Sequence, residues 1–251
     1  MEPAANTVAN HPSRRSLVLL ARRSLVLLVG ATAVLTGCSS GSAGSAASVD
    51  QVLARAKTSL DQATTVHFTL TSADVPATEG AKLVGGQGFA VRPKAFTGSL
   101  KLLISGSAVT IDLISVGGKV YVKSPFNPKF AITDPKQFGL KDPATLVDQQ
   151  NGVVRLITSM TGATLSGEAR VGSDVVQQVK GSVPGTVVEE LLTSADPAQP
   201  VAVTASVDKA TGQLRQAVLT GPFFKDAAQS TFTIVFDRYG EQVDVSAPPL
   251  G

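Results

Sequence analysis

Apolar and polar residues alternate in segment after segment, and this pattern constrains the fold more than any other feature of the chain. Val66, Phe68 and Leu70, for example, alternate with polar neighbours. A period of two with β-branched residues is typical of strands that bury one face. Short turns between the segments favour antiparallel neighbours. The other segments that follow this pattern are 99–104, 109–113, 119–123, 175–183, 201–207, 214–220, 231–237 and 242–246.

Three other segments have the apolar spacing of helices. A capping-box pair, Ser48 and Gln51, precedes an apolar stripe and predicts a helix over 49–63. Asp142-Pro143 predicts the start of a helical middle region that reaches Met160, interrupted at 151–152, and a shorter helix is predicted over 184–192. Strand runs separated by helical blocks predict an α+β fold, with a curved antiparallel β-sheet (a half-barrel) and a few α-helices on one face.

The only cysteine, Cys38, ends the sequence Leu-Thr-Gly-Cys at 35–38, and only Ser, Gly and Ala follow over 39–48. Small residues before a cysteine resemble a bacterial lipobox. Upstream lie two arginine pairs and an uncharged run, 24–36, that is too short to span a bilayer of ~30 Å. We therefore predict a lipoprotein signal peptide at 1–37, an acylated Cys38 with a tether at 38–48, and one domain at 49–251. We expect the anchor to be a diacylglycerol thioether, to which an N-acyl group such as palmitate can be added.

Two alternatives concern this leader. Free cysteine behaves as a small hydrophobe, so a buried structural cysteine in an N-terminal helix is the alternative to lipidation. The segment 13–20 also faintly resembles a twin-arginine export signal, whereas an ordinary basic leader or a start codon placed too early explains the same residues.

Composition excludes several classes of function. The chain carries a formal charge of +3, but residues 1–37 hold four of the 22 basic and one of the 19 acidic side chains. The remainder is therefore neutral, which argues against nucleic acid as a partner. His67 is the only histidine after residue 37, so no zinc or copper site built on Cys and His is expected, and no cofactor. The alternation places His67 on the outer face as a solvated or edge residue. The glycine-rich run 85–88 lacks the pattern of a phosphate loop.

The order of these features resembles the mycobacterial lipoproteins of the LppX/LprA/LprF/LprG type. The lipobox and tether come first, 97–102 and 118–121 resemble the strand and turn motifs of that family, and 141–153 resembles its Asp-Pro helix start. The most specific segment is 239–245, which begins with Tyr239 where the family usually has Trp, and which precedes Pro248-Pro249.

The resemblance implies a half-barrel around a large apolar cavity that binds a di- or triacylated lipid or glycolipid. It also implies a carrier that moves lipid toward the outer envelope and that is anchored through Cys38 to the outer face of the cell membrane. Some family members are linked with a membrane exporter, which is therefore a possible partner implied by the resemblance. Each buried methylene contributes about 0.8 kcal/mol, so acyl chains bind without a charge partner. The inward residues expected to line the cavity are Leu100, Leu102, Ile104, Ile111, Leu113, Val120, Val122, Ile234 and Phe236.

Two other functions remain open from the sequence. A non-carrying envelope scaffold, or an accessory protein for an exporter or cell-wall enzyme, would have a filled core made of the same residues. A hydrolase would have to combine a serine with His67, but the sequence shows no nucleophile elbow in a strand-turn-helix context. We therefore expect no enzyme activity.

Overall fold

The computed structural model describes residues 47–76, 80–224 and 229–250. The predicted signal peptide, Cys38 and the tether as far as residue 46 lie outside the described residues. The strands are β1 (Thr65–Ala73), β2 (Ala81–Val91), β3 (Ala95–Ile104), β4 (Ser107–Val116), β5 (Lys119–Ser124), β6 (Asn127–Ile132), β7 (Thr161–Val171), β8 (Asp174–Val183), β9 (Val201–Asp208), β10 (Leu214–Gly221) and β11 (Ser230–Asp237).

Within the described residues these strands form one antiparallel sheet in the order β6-β5-β4-β3-β2-β1-β11-β10-β9-β8-β7. The sheet curves without closing, because its end strands β6 and β7 are not paired with each other. The predicted α+β class and curved antiparallel sheet are confirmed. Since β1 pairs with both β2 and β11, the first and last of the described strands meet in the middle of the sheet.

Glycines in β2 and β3 allow the sheet to accommodate a large aromatic ring. Gly88 pairs directly with Gly98. A Cβ on Gly88 would lie 2.6 Å from the Thr97 carbonyl oxygen and 2.7 Å from Phe96 Cζ. The register also shifts between Leu83 and Gly85, and such a bulge increases local twist. The glycine-rich run is therefore a strand on which the Phe96 ring packs, fully buried.

The first helix, α1 (Val49–Gln62), forms as predicted. The Gln51 N–H donates to Ser48 Oγ at 3.2 Å, and the Ser48 N–H donates to Gln51 Oε1 at 3.0 Å. This capping box satisfies two donors that a helix start would otherwise leave unpaired. Val52, Ala56 and Leu60 form the buried stripe.

The predicted helical middle region is shorter and more broken than expected. Asp142 caps as predicted, accepting the Ala144 N–H at 3.0 Å, but the helix it starts is a 3-10 turn, Pro143–Thr145. A second 3-10 helix spans Pro135–Phe138. The α-helical parts are α2 (Gly152–Thr158) and α3 (Gly185–Glu189). Gly152 has φ +62°, a left-handed conformation that interrupts any helix continuing from Pro143.

The strand predicted at 242–246 does not form. Both edges of β11 are already paired, with β1 and β10, so a strand that returned after Gly240 would find no free edge. The segment is instead fixed where it leaves β11. The Tyr239 hydroxyl donates to the Leu214 carbonyl at 2.6 Å, and the Gly240 N–H donates to the Thr65 carbonyl at 2.8 Å. Farther on, Leu250 forms an isolated parallel bridge with Phe130 of β6.

Candidate functional site

An apolar cleft lies between the middle of the sheet and the short segments that cover it, with a volume of about 70 Å³. The sheet contributes side chains from β1, β2, β3, β10 and β11, and the cover contributes the end of α1 and segments 140–147 and 190–192. The apolar lining residues are Leu60, Val66, Phe68, Leu70, Leu83, Ala90, Leu100, Leu140, Pro143, Leu146, Val147, Val153, Leu191, Leu192, Leu219, Ile234 and Phe236.

Four polar residues complete the lining: Lys141, Asp142, Thr145 and Glu190. Most of them are tied to neighbouring elements. Asp142 Oδ1 accepts the Ser115 hydroxyl at 2.6 Å in addition to the Ala144 N–H. Arg155 Nη1 contacts both carboxylate oxygens of Glu190, at 2.6 and 2.7 Å, and thereby links α2 to the segment after α3. These contacts position the cover over the cleft.

The structure separates the nine residues predicted to line a cavity into three groups. Leu100, Ile234 and Phe236 border the cleft. Five others are buried in the hydrophobic core outside the cleft lining: Leu102, Ile111, Leu113, Val120 and Val122. Ile104 is only partly buried against that core. Contact with a lipid stays a prediction for all nine.

The sequence predicted helical segments in this part of the chain but not their role as the cover. Segments 140–147 and 190–192, which lie almost wholly within the predicted helical regions, supply about as much of the lining as the strands do. Asp142-Pro143 marks where the chain turns over the cleft, but no sequence pattern indicated that these segments border it.

The cleft is narrow. Pockets that enclose a drug-sized ligand measure about 300–1,000 Å³, well above the volume found here. The resemblance implied a large cavity, and the structure has a mostly filled core with a narrow cleft in its place.

A second groove, of about 550 Å³, lies beside α1. Most of its lining residues are polar, among them Arg55, Thr58, Gln62, Thr211 and Gln213. An acyl chain would leave such polar groups unpaired, so the more uniformly apolar cleft suits lipid tails better than this groove does.

His67 lies on the face of β1 opposite the cleft, as the alternation predicted, but it is neither solvated nor at an edge. Its Nδ1 lies 2.6 Å from Asp237 Oδ1, its ring centroid lies 4.8 Å from that of Phe89, and its side chain is 13% exposed. The central position of β1 in the sheet explains this burial. In the described part of the chain, no serine or threonine hydroxyl is hydrogen-bonded to His67, so no hydrolytic triad is assembled there.

The described residues contain neither a metal-binding cluster nor a membrane-spanning helix. No group of three or more His, Cys, Asp or Glu side chains there is arranged to hold a metal ion. Nor does any helix among them have the length and apolar character needed to cross a bilayer.

Comparison with known proteins identifies the family. Residues 48–245 match the family model described as LppX_LprAFG lipoprotein. The lipoarabinomannan carrier protein LprG of Mycobacterium tuberculosis is 26% identical over 234 residues, covering 88% of this chain and 92% of that protein. LprG of Mycobacterium leprae is 25% identical over 240 residues, with 90% and 94% coverage.

Solved structures agree on the fold. LprF from Mycobacterium bovis superposes with a TM-score of 0.65 at 14% identity, over 81% of this chain and 97% of that one. LppX from Mycobacterium tuberculosis gives 0.56 at 16% identity, over 78% and 98%. Since the family model spans most of the chain and the fold agrees, this chain belongs to the LppX/LprA/LprF/LprG family of lipoproteins.

Proposed function

We propose that this protein is a cell-envelope lipoprotein that holds the acyl chains of a di- or triacylated lipid or glycolipid in the cleft and carries that lipid toward the outer envelope. The observation that carries the proposal is an almost wholly apolar cleft between the curved sheet and its cover, with polar side chains confined to a few positions. The relatives named as lipoarabinomannan carriers support the class of ligand.

The energetics favour acyl chains as the cargo. Burial of one methylene contributes about 0.8 kcal/mol, so a long chain binds strongly to a lining that offers no charge partner. The cleft must widen to admit such a chain. The widening occurs at the cover, because the cover consists of 3-10 turns and short helices rather than a continuous hydrogen-bonded sheet.

The proposed location follows from the anchor. A diacylglycerol thioether on Cys38 supplies two acyl chains, which is enough for stable membrane attachment. The tether then holds the domain close to the outer face of the membrane.

No catalytic step is part of the proposal. His67→Ala is expected to leave cargo binding unchanged, because the ring lies on the opposite face of the sheet from the cleft.

The direct test is native mass spectrometry with organic extraction, on residues 39–251 produced in a mycolate-bearing host. A stoichiometric di- or triacylated lipid would support the carrier and identify the class of cargo. A bare protein of the expected mass would contradict it and favour the second candidate, an envelope scaffold, which the narrowness of the cleft favours.

A substitution inside the cleft gives a sharper test. Leu100 is 3% exposed and lines the cleft from β3, so Leu100→Trp should fill it and abolish copurifying lipid. Overpacking of this kind costs about 1–3 kcal/mol of stability, so thermal unfolding must show that the variant is folded.

Leu103→Trp is the matched control. Leu103 lies on the same strand, three residues away and therefore on the opposite face of the sheet, and it is outside the cleft lining, so this variant should keep its lipid. Full lipid occupancy in folded Leu100→Trp would remove Leu100 from the binding site.

A further inference from the structure

The most exposed large hydrophobic side chain in the described residues is that of Phe126, which is 82% exposed. The next two are Leu250 and Ile132, at 57% and 51%. Phe126 lies in the turn between β5 and β6, at the end of the hairpin that forms one edge of the sheet. A phenylalanine placed there buries little surface within the domain, so core packing does not account for it.

The turn that carries Phe126 is stiff. Pro125 precedes it, Pro128 follows two residues later, and proline fixes its own φ near −65°. Ser124 and Asn127 pair across the turn, and the Asn127 N–H donates to Ser124 Oγ at 3.1 Å. The ring is therefore held out from the sheet on a preformed turn, and ordering it against another surface costs little backbone entropy.

Positive charge lies beside the turn. The nearest charged residues in the sequence are Lys123, at the end of β5, and Lys129, in β6. Lys123 pairs with Asp112 at 2.9 Å and also lies 5.2 Å from the centroid of the Phe130 ring. Lys129 is exposed and forms no ion pair among the described residues. The aromatic tip is thus close in sequence to an exposed lysine that has no ionic partner in the part of the chain that the structure describes.

We infer that the β5–β6 hairpin is a membrane-docking element, in which Phe126 inserts at the headgroup level of a bilayer and Lys129 contacts anionic lipid headgroups. An exposed aromatic ring gains binding free energy when it is buried at the boundary between headgroups and acyl chains. A lysine beside it adds electrostatic attraction to anionic headgroups. The long lysine stem lets its ammonium reach the headgroups while the ring lies deeper.

A bilayer fits this surface better than a protein partner does. Stable protein interfaces bury at least about 1,000 Å² in a contiguous, complementary patch. Here one ring projects between prolines, an asparagine and a lysine, all exposed. A bilayer needs no matching shape, because any apolar side chain that reaches the interface gains from burial there.

Because the tether keeps the domain near the membrane, even a weak contact of the hairpin with the bilayer is occupied. In this respect the inference rests on the proposed anchor at Cys38. Ten flexible residues, 39–48, have a reach of roughly 17 Å. A tethered domain experiences an effective concentration of membrane sites of about millimolar, so a contact of millimolar affinity is occupied much of the time. Docking then orients the domain on the membrane, whether or not the cleft holds cargo.

The experiment uses residues 39–251 without the anchor, since residues 45–251 form one compact unit whose hydrophobic core lies entirely within it. The natural chain has no tryptophan, so Phe126→Trp introduces a single fluorophore at the tip. With vesicles of equimolar phosphatidylcholine and phosphatidylglycerol, its emission should shift to the blue and be quenched by brominated lipid. Leu165→Trp, a partly exposed residue on the opposite edge strand β7, is the matched control and should show neither change.

Two further variants measure the contribution of each group by vesicle flotation. Phe126→Ala should weaken binding by roughly tenfold, which corresponds to about 1.4 kcal/mol, without lowering the melting temperature. Lys129→Glu should weaken binding to the anionic vesicles and leave the weaker binding to pure phosphatidylcholine unchanged.

Three outcomes would overturn the inference. The first is that the emission of Phe126→Trp does not shift at saturating lipid. The second is that Phe126→Ala binds vesicles as tightly as the unsubstituted chain does. The third is dimerisation that depends on Phe126 and occurs without vesicles, which would assign the ring to contact with a second copy. The carrier proposal is tested separately by lipid extraction, so an empty cleft combined with vesicle insertion would refute the carrier and retain the docking element.

Discussion

At the scale of single residues, the turn between β9 and β10 depends on one buried carboxylate. Asp208 is 7% exposed, and its Oδ1 accepts the Thr211 N–H at 2.6 Å and the Thr211 hydroxyl at 2.7 Å. Burial alone would raise the pKa of this carboxyl. The hydrogen bonds from Thr211 and the Ala210 backbone, with the positive charge of Arg215, outweigh burial and lower the pKa below its ordinary value.

We expect Asp208→Asn to reduce the dependence of stability on pH. Because the pKa is lower in the folded than in the unfolded state, ionised Asp208 stabilises the fold above its unfolded pKa of about 3.9, and this contribution is lost as pH falls through the folded value. Asparagine keeps the acceptor oxygen but loses the charge, so stability at neutral pH should fall by about 1 kcal/mol.

Urea unfolding at neutral pH and at about pH 3 checks this prediction. The variant should lose less stability on acidification than the unsubstituted domain does. Asp244→Asn, which changes an exposed carboxylate with no hydrogen bond among the described residues, should behave like the unsubstituted domain. Identical acid sensitivity in Asp208→Asn would show that the carboxylate does not govern the turn.

At the scale of elements, the start of α2 and the cover of the cleft are fixed together by one glycine. Gly152 has φ +62°, and a Cβ there would lie 2.3 Å from the Leu146 carbonyl oxygen and 2.5 Å from that of Thr145. The Val153 N–H donates to the same Leu146 carbonyl at 3.0 Å. Gly152→Ala should therefore lower the free energy of unfolding by about 2 kcal/mol and displace cleft residues Leu146 and Val153.

Gly172→Ala separates the cost of the left-handed backbone conformation from the cost of the clash with the carbonyl oxygens. Gly172 has φ +59° but open space around its Cβ position, so alanine there carries only backbone strain, of about 1 kcal/mol. Chemical denaturation of both variants gives the difference that is due to the backbone clash. Equal losses would show that the cover yields easily around residue 152.

The elements also show what the sequence could predict and what it could not. Strands with one buried face were predictable, because alternation records burial directly. Three strands were missed for physical reasons. β2 contains glycines where side chains would reveal the alternation, β6 is a short edge strand, and β7 is exposed along most of both faces. In none of them does burial alternate regularly.

The candidate site was predictable in part for a related reason. Alternation assigns a residue to a face of the sheet, but it does not say which part of that face lies under the cover. Leu100, Ile234 and Phe236 lie under it, whereas Leu113 and Val122 share the face and pack in the solid core. The position of the cover depends on tertiary contacts such as the Ser115–Asp142 hydrogen bond, which no local pattern records.

At the scale of the whole molecule, the sheet and the cover differ in the number of backbone hydrogen bonds that would break if each of them opened. The sheet is a continuous antiparallel ladder from β6 to β7. The cover is held by a three-residue 3-10 turn, a seven-residue α2, a five-residue α3 and the isolated bridge between Leu140 and Leu192. Short elements with few ladder hydrogen bonds open locally at lower free energy than central strands. Widening of the cleft should therefore come from the cover.

Hydrogen exchange followed by mass spectrometry tests this division of the molecule. In the empty protein, amides in 139–151 and 190–196 should exchange faster than those of β1, β10 and β11. Loading with the extracted lipid should slow exchange in these cover segments most, because bound lipid holds the cover in its lipid-bound arrangement and stabilises that arrangement by RT ln(1 + [L]/Kd). Folded Leu100→Trp should show no such slowing. Equal slowing of exchange along every strand would mean that lipid stabilises the whole fold without a separate motion of the cover. Slowing of exchange confined to residues outside the cleft would place the lipid elsewhere on the domain.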